Sequence, residues 1–240
     1  MTATPRQPRR RHFESENGFT LVEFMIAALI MSIVLGGTVA LATRIQQAYG
    51  TQLDDVAVEQ EARFALDWIA RDLRSAASNP YEIPGMVGLV INPDGALPAD
   101  DSIRVQADIG ALGPDGVLDD AGEVITIAPD TANWALCSPG TPDTTRCTSV
   151  TRQDPFADDP AALAMTEAIF TNLIFTYRNA AYVPLTAAAA AANPELVTYV
   201  RVQVTARSRA RNPYAPIGPF APIGQYTTST LATEVRLRTR

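Results

Sequence analysis

The chain has 240 residues, 47% of them hydrophobic, enough for one domain of ordinary size and an extra helix. Its 19 basic residues are all Arg, set against 26 acids for a net charge of −7. A surface that acidic repels phosphate backbones, so nucleic-acid binding is disfavoured, and without Lys there is neither a P-loop lysine nor a Schiff base. His12 is the only histidine, so residues 19–240 hold no Ser-His or Cys-His nucleophile pair. No G-x-S-x-G occurs. The composition speaks for a non-enzyme without a cofactor.

The first 18 residues carry Arg6, Arg9, Arg10 and Arg11 and end in Gly18. From Phe19 to Ala42 there follow 24 residues with one charge, Glu23. About 20 apolar residues cross a bilayer as a helix, and this run is too long for an ordinary signal h-region. The basic residues ahead of it place the N-terminus in the cytoplasm and the rest outside. A charge at the bilayer centre costs roughly 2.5–3.5 kcal/mol, less near the interface. Glu23 stands one turn in, where it could snorkel to the headgroups. Beside Gly18 it has a second reading. Cleavage after Gly18 would leave Phe19 with a positive amine, which Glu23 could neutralise on its own chain or on a neighbour.

The run "G-FTLVEFMIAALIMS" resembles the N-terminal signature of type IV prepilins and type II secretion pseudopilins. The resemblance covers about 25 residues, with glycine, cut-site aromatic and glutamate in register. It implies that a prepilin peptidase cuts between Gly18 and Phe19 and methylates the new amine of Phe19. It also implies that Glu23 serves subunit docking, with other pilins or minor pilins and a pilus assembly platform as partners in the inner membrane.

No proline interrupts the chain from Arg9 to Asn79, and residues 43–77 are rich in helix formers. Ile45, Tyr49, Leu53 and Val56 fall at helical spacing. Leu66, Ile69, Leu73 and Ala76 continue a stripe, with Asp67, Arg71, Asp72 and Arg74 off it. An unbroken helix over 19–77 would span roughly 90 Å. Gly36-Gly37 and Gly50 are its weak points, or, for the pair, a place for close helix packing. The segment "RFALDWIARDLRSAA" (63–77) resembles the post-membrane helix of the PilW minor pilin family. The J-type minor pseudopilins of type II secretion have a related, looser pattern there.

After Asn79-Pro80 the pattern turns to strands. "MVGLVI" (86–91), "SIRVQA" (102–107), "EVITIA" (123–128), "IFTNLIFTYR" (169–178), "LVTYVRVQVTA" (196–206) and "LATEVRLRTR" (231–240) alternate or form short apolar runs. Val200, Val202 and Val204 should face in, with Arg201, Gln203 and Thr205 outward. One buried face implies an antiparallel sheet covered by the striped half of the helix. The predicted class is α+β: a long N-terminal helix, first half transmembrane, packed on an antiparallel β-sheet. This is also the pilin layout that the resemblance implies. The parts are a leader over 1–18, a transmembrane helix over 19–42, its amphipathic continuation over 43–78 and a β-rich domain over 79–240.

Three loops stand out. One holds Cys137 and Cys147, which outside the inner membrane should form a disulfide; without His they make a poor zinc site. The second, over 107–127, carries Asp115, Asp119, Asp120 and Glu123. These echo half of a calcium loop, although the register fails, and a solvated turn is the plainer reading. The third, over 207–226, contains a tandem repeat, "YAPIGP" and "FAPIGQ", either a partner-facing loop or a solvated hairpin excursion. The run over 186–194 reads as a short helix capped by Thr186 and stopped by Asn193-Pro194.

These features point to a structural subunit, a minor pilin processed by prepilin peptidase. A J-type pseudopilin is the related alternative. A membrane-tethered binding module, for calcium or a surface ligand, is the alternative of another class.

Overall fold

A computed structural model describes residues 19–93, 95, 100–109, 113–137, 145–212 and 225–237. The leader, the loop over 138–144, the tandem repeat (214–225) except Gln225, and Arg238 lie outside the described residues. The chain forms two compact units, Met1–Ala48 and Tyr49–Arg240.

Helix α1 runs over Leu21–Ser75, 55 residues, against the 59 expected from sequence. It continues through Gly36, Gly37 and Gly50, none of which has a neighbour among the described residues where a side chain would stand. It stops where Ala77 takes a left-handed φ of 62° and gives its N–H to the Gln106 carbonyl at 3.0 Å. Gly88, at φ 79°, meets this turn closely. A Cβ there would stand 2.6 Å from the Cβ of Ala77, so only glycine permits the approach. Helix end and first strand are thereby joined.

The second unit holds short strands β1 (Leu89–Ile91), β2 (Ile103–Gln106) and β3 (Val124–Pro129), the ribbon strands β4 (Ala135–Leu136) and β5 (Arg146–Cys147), then β6 (Val150–Gln153) and β7 (Leu163–Ala164). β8 (Phe170–Arg178) and β9 (Pro184–Leu185) follow. Helix α2 (Ala187–Ala192) comes next, its Thr186 hydroxyl accepting the Ala189 N–H at 3.2 Å. Two long strands close the fold, β10 (Tyr199–Asn212) and β11 (Gln225–Arg236).

The sequence suggested one sheet; there are two and a ribbon. One sheet has the order β1-β2-β3-β6-β7, the other β11-β10-β8-β9, and all pairs are antiparallel. The alternation read from sequence sets the register. Val202 pairs with Phe175, Val204 with Leu173 and Val200 with Val235, all buried. These side chains share one core with Ile103, Val105, Ile125 and Ile127 of the other sheet and with α1 residues Val58, Ala62, Ala65, Ile69 and Leu73. The helix thus closes the core over both sheets. A large aliphatic side chain buried this way stabilises by about 1.5–3 kcal/mol.

Candidate functional site

Phe19 and Thr20 precede the helix, and Thr20 is its N-cap. The Thr20 carbonyl accepts the Phe24 N–H at 3.2 Å, the first bond of the helical ladder. The Thr20 hydroxyl accepts the Glu23 N–H at 3.3 Å. In return, Glu23 Oε2 accepts the Thr20 N–H at 2.9 Å and the Thr20 O–H at 2.9 Å. This reciprocal arrangement is a capping box, which satisfies donors that a helix start otherwise leaves orphaned. The signal, Thr-x-x-Glu over 20–23, was present in the sequence but hidden behind the question of charge in an apolar run. Part of the answer to why Glu23 stands so near the start is therefore local: it is the third residue of a capped helix. Gly18, the other half of the expected processing site, lies outside the described residues.

Beyond Glu23 the helix is apolar and long enough to cross a membrane. Its large side chains, among them Phe24, Met31 and Leu35, are exposed. The polar residues in the run bond inward: Ser32 donates to the Ala28 carbonyl at 2.8 Å and Thr38 to that of Leu35 at 2.8 Å. Neither would bring an unsatisfied hydroxyl into lipid.

Residues 15–39 match the model of the prokaryotic N-terminal methylation motif. This N-terminus is of the prepilin type. No curated protein and no solved structure matches the chain.

The prepilin-type segment leads into a helix with two apolar faces, and here the sequence expectation needs correction. Leu66, Ile69, Leu73 and Ala76 are buried as expected. Tyr49 (62% exposed), Leu53 (53%) and Val56 (50%) are not, and Phe64 (51%) joins them. At 100° per residue, this exposed set lies roughly half a turn away from the buried set. The two stripes, read as one, are on opposite sides. One covers the core; the other is exposed among the described residues. Ile45, in the first unit, is likewise exposed.

Cys137 and Cys147 are joined at an S–S distance of 2.08 Å; Cys137 directly follows β4, and Cys147 lies in β5, where it pairs with Ala135. The Arg146 guanidinium lies 4.0 Å over the Trp134 ring, a cation–π contact that fastens the same ribbon.

In the acidic loop, buried Glu123 accepts the N–H groups of Ile109 at 3.2 Å, Asp119 at 3.0 Å and Asp120 at 2.9 Å. Buried Asp108 accepts those of Asp115 at 3.0 Å and Gly116 at 3.1 Å. Oxygens of Asp108, Asp115 and Glu123 lie within 4.8 Å of one another. Of the four acids singled out from sequence, only Asp115 and Glu123 meet; Asp119 and Asp120 join through their N–H groups. Asp108 was missed because it directly follows a strand-like run, seven residues ahead of the Asp115-Gly116 turn. Desolvation, then the neighbouring Glu123, Asp115 and Asp119, push the Asp120 carboxyl above its ordinary range. In this arrangement the buried carboxylates shape the loop by gathering its backbone donors.

Beside the loop, Asp154 accepts the Gly122 N–H at 2.7 Å and stands 3.6 Å from Arg152. Arg152 also reaches Asp72 of α1 at 3.1 Å. This clasp ties β6 to the helix. Burial pushes the Asp72 carboxyl up, and Arg152 opposes the shift.

Proposed function

We propose that the chain is a structural minor pilin of the PilW type. It is held in the inner membrane by its N-terminal helix with the β-rich domain in the periplasm, cut between Gly18 and Phe19 by prepilin peptidase, and N-methylated on Phe19. It then enters or primes a type IV pilus by helix-to-helix docking with other pilins. The methylation motif supports a pilin or pseudopilin in general. The observation that carries the docking reading is the second apolar face of α1, exposed among the described residues while the first is buried. Apolar side chains grouped on one exposed helix face support an interaction site. The choice of pilus over secretion apparatus rests on the likeness of residues 63–77 to the PilW helix. In this reading Glu23 pairs with the amine of a neighbouring Phe19.

The test follows the protein in cells that hold the full assembly machinery. Replacing Gly18 by Leu should stop leader removal and abolish incorporation into sheared filaments. Glu23→Ala should leave membrane insertion intact while lowering incorporation. Full function of an unprocessed Gly18 variant would favour the tethered binding module instead, and normal incorporation of Glu23→Ala would return Glu23 to snorkelling.

A further inference from the structure

We propose that the outer edge of β11 is a docking site for an extended segment of another protein, added to the sheet as a further strand. The inference goes beyond the docking reading above, which concerns α1. β11 ends its four-stranded sheet and, among the described residues, is paired with one strand, β10. The ladder fixes which way its backbone groups point. At one end the Leu237 N–H donates to the Thr198 carbonyl, and at the other the Thr227 N–H donates to the Ser208 hydroxyl. Between them the register is unbroken from Arg236 to Thr228. Peptide groups alternate in direction along a strand, so the odd-numbered residues of this stretch bond to β10. The N–H and C=O groups of Thr228, Thr230, Ala232, Glu234 and Arg236 therefore point away from the sheet, over about 27 Å.

Proteins blunt such edges with short strands, Lys, Pro, bulges or charges aimed outward. β11 has 12 residues, no Pro or Lys, and no charge from Gln225 to Thr233. The irregularity in its pairing lies beyond Thr228. Its one acid, Glu234, is drawn back over the sheet, away from the edge. Tyr182 Oη donates to both carboxylate oxygens, at 2.9 and 3.0 Å, and Arg178 Nε stands 3.7 Å away. The edge also states the chemistry of its occupant. A polypeptide main chain repeats donor and acceptor at this spacing, so the partner is an extended segment without proline in the paired stretch. The side chains beside it alternate. Thr228, Thr230 and Ala232 are exposed, whereas Leu231 packs against the core and Val235 is buried. An added strand thus needs polar and apolar residues in turn. Arg236 is exposed and has no ion pair among the described residues, which favours a carboxylate at that end of the partner.

The probe is a nine-residue peptide that alternates threonine and valine and carries a glutamate at one end. It is added to the full-length chain in detergent, and amide exchange is followed by NMR. With the peptide at ten times its Kd, the amides of Thr228, Thr230, Ala232 and Glu234 should exchange about ten-fold more slowly. Those of Ser229, Leu231, Thr233 and Val235, already bonded to β10, should change little. Ala232→Pro removes one outward N–H and no bond to β10. It should bind the peptide at least about five-fold more weakly, the factor for one backbone bond of typical strength. A peptide with three central prolines should not bind, which decides the matter even where Ala232→Pro fails to fold. Lysine in place of the peptide's glutamate should weaken binding about five-fold. The inference is overturned by no slowing at millimolar peptide, by equal slowing of the two sets of amides, by binding of the proline peptide, or by parent-level binding of a folded Ala232→Pro. Equal affinity of the lysine peptide would remove the carboxylate from the partner. Slowing of the outward set without peptide, rising with protein concentration, would give the edge to a second copy and overturn the partner named here. The exposed face of α1 takes no part in this measurement, so a failure here and a failure of the filament reading are told apart.

Discussion

Arg152 stands between two carboxylates that are largely withdrawn from water. The side chains of Asp72 and Asp154 are 13% and 6% exposed. Removing one partner of such a cluster leaves uncompensated charge, which costs far more than the pair itself is worth. Arg152→Met should therefore lower stability by about 3–5 kcal/mol in urea unfolding of the detergent-solubilised chain. The pH dependence has a definite sign. The folded-state pKa of Asp72 is raised above 3.8, chiefly by desolvation. The stability linked to its protonation is then complete below 3.8 and is lost as pH rises through the folded value. The charged form is thus the costly one, and Arg152 is what moderates the cost. The deficit of the variant should be largest at neutral pH and shrink as the solution is acidified. A deficit that is flat from neutral to acid pH would mean that Arg152 acts through packing alone.

At the scale of elements, α1 makes two predictions that diverge. Leu73 is fully buried, and Leu73→Ala should cost about 2–5 kcal/mol through lost transfer energy and the cavity left behind. Leu53 is half exposed, so Leu53→Ala should change stability by less than about 0.5 kcal/mol and lower filament incorporation. Equal stability losses at the two positions would remove the case for a second face. Sequence reading found this helix, its stop ahead of Asn79-Pro80 and the alternation of β8, β10 and β11, because the helical and strand signals each repeat over many residues. It did not find β4, β5, β7 or β9, since two residues show no period, nor β6, whose four residues Val150–Gln153 do not alternate cleanly. It also joined the two stripes of α1. Spacing tells which residues share a face within a few turns. It does not tell which of two apolar faces the sheets will cover. The capping box at 20–23 and the pairing of Asp108 with the acidic loop were local signals of a similar kind, legible once the backbone donors had places.

For the molecule as a whole, β4 and β5 pair over two residues each, too few to hold themselves. The Cys137–Cys147 bond closes a loop with a sequence separation of 10 and supplies what the ribbon lacks. Replacing both cysteines by serine should lower stability by about 2–3 kcal/mol, measured as the drop in the urea midpoint at constant slope. Reducing agent should reproduce the drop in the parent and do nothing to the double variant. The strands of the two larger sheets are anchored by the common core instead, and their unfolding should remain a single cooperative step in both proteins.

The two-sided helix has a consequence for how damage to this protein would be read. A random substitution in residues 49–76 sorts by compass bearing. On one bearing it yields too little protein, because the domain melts and is cleared. On the other, in the docking reading proposed above, it should yield a normal amount of protein that does not enter filaments. A screen scoring only abundance would be blind to half the helix, and one scoring only filaments would confuse the halves. Scored together, abundance and filament yield would draw the outline of the neighbouring subunit on this one, residue by residue, without a structure of the assembly.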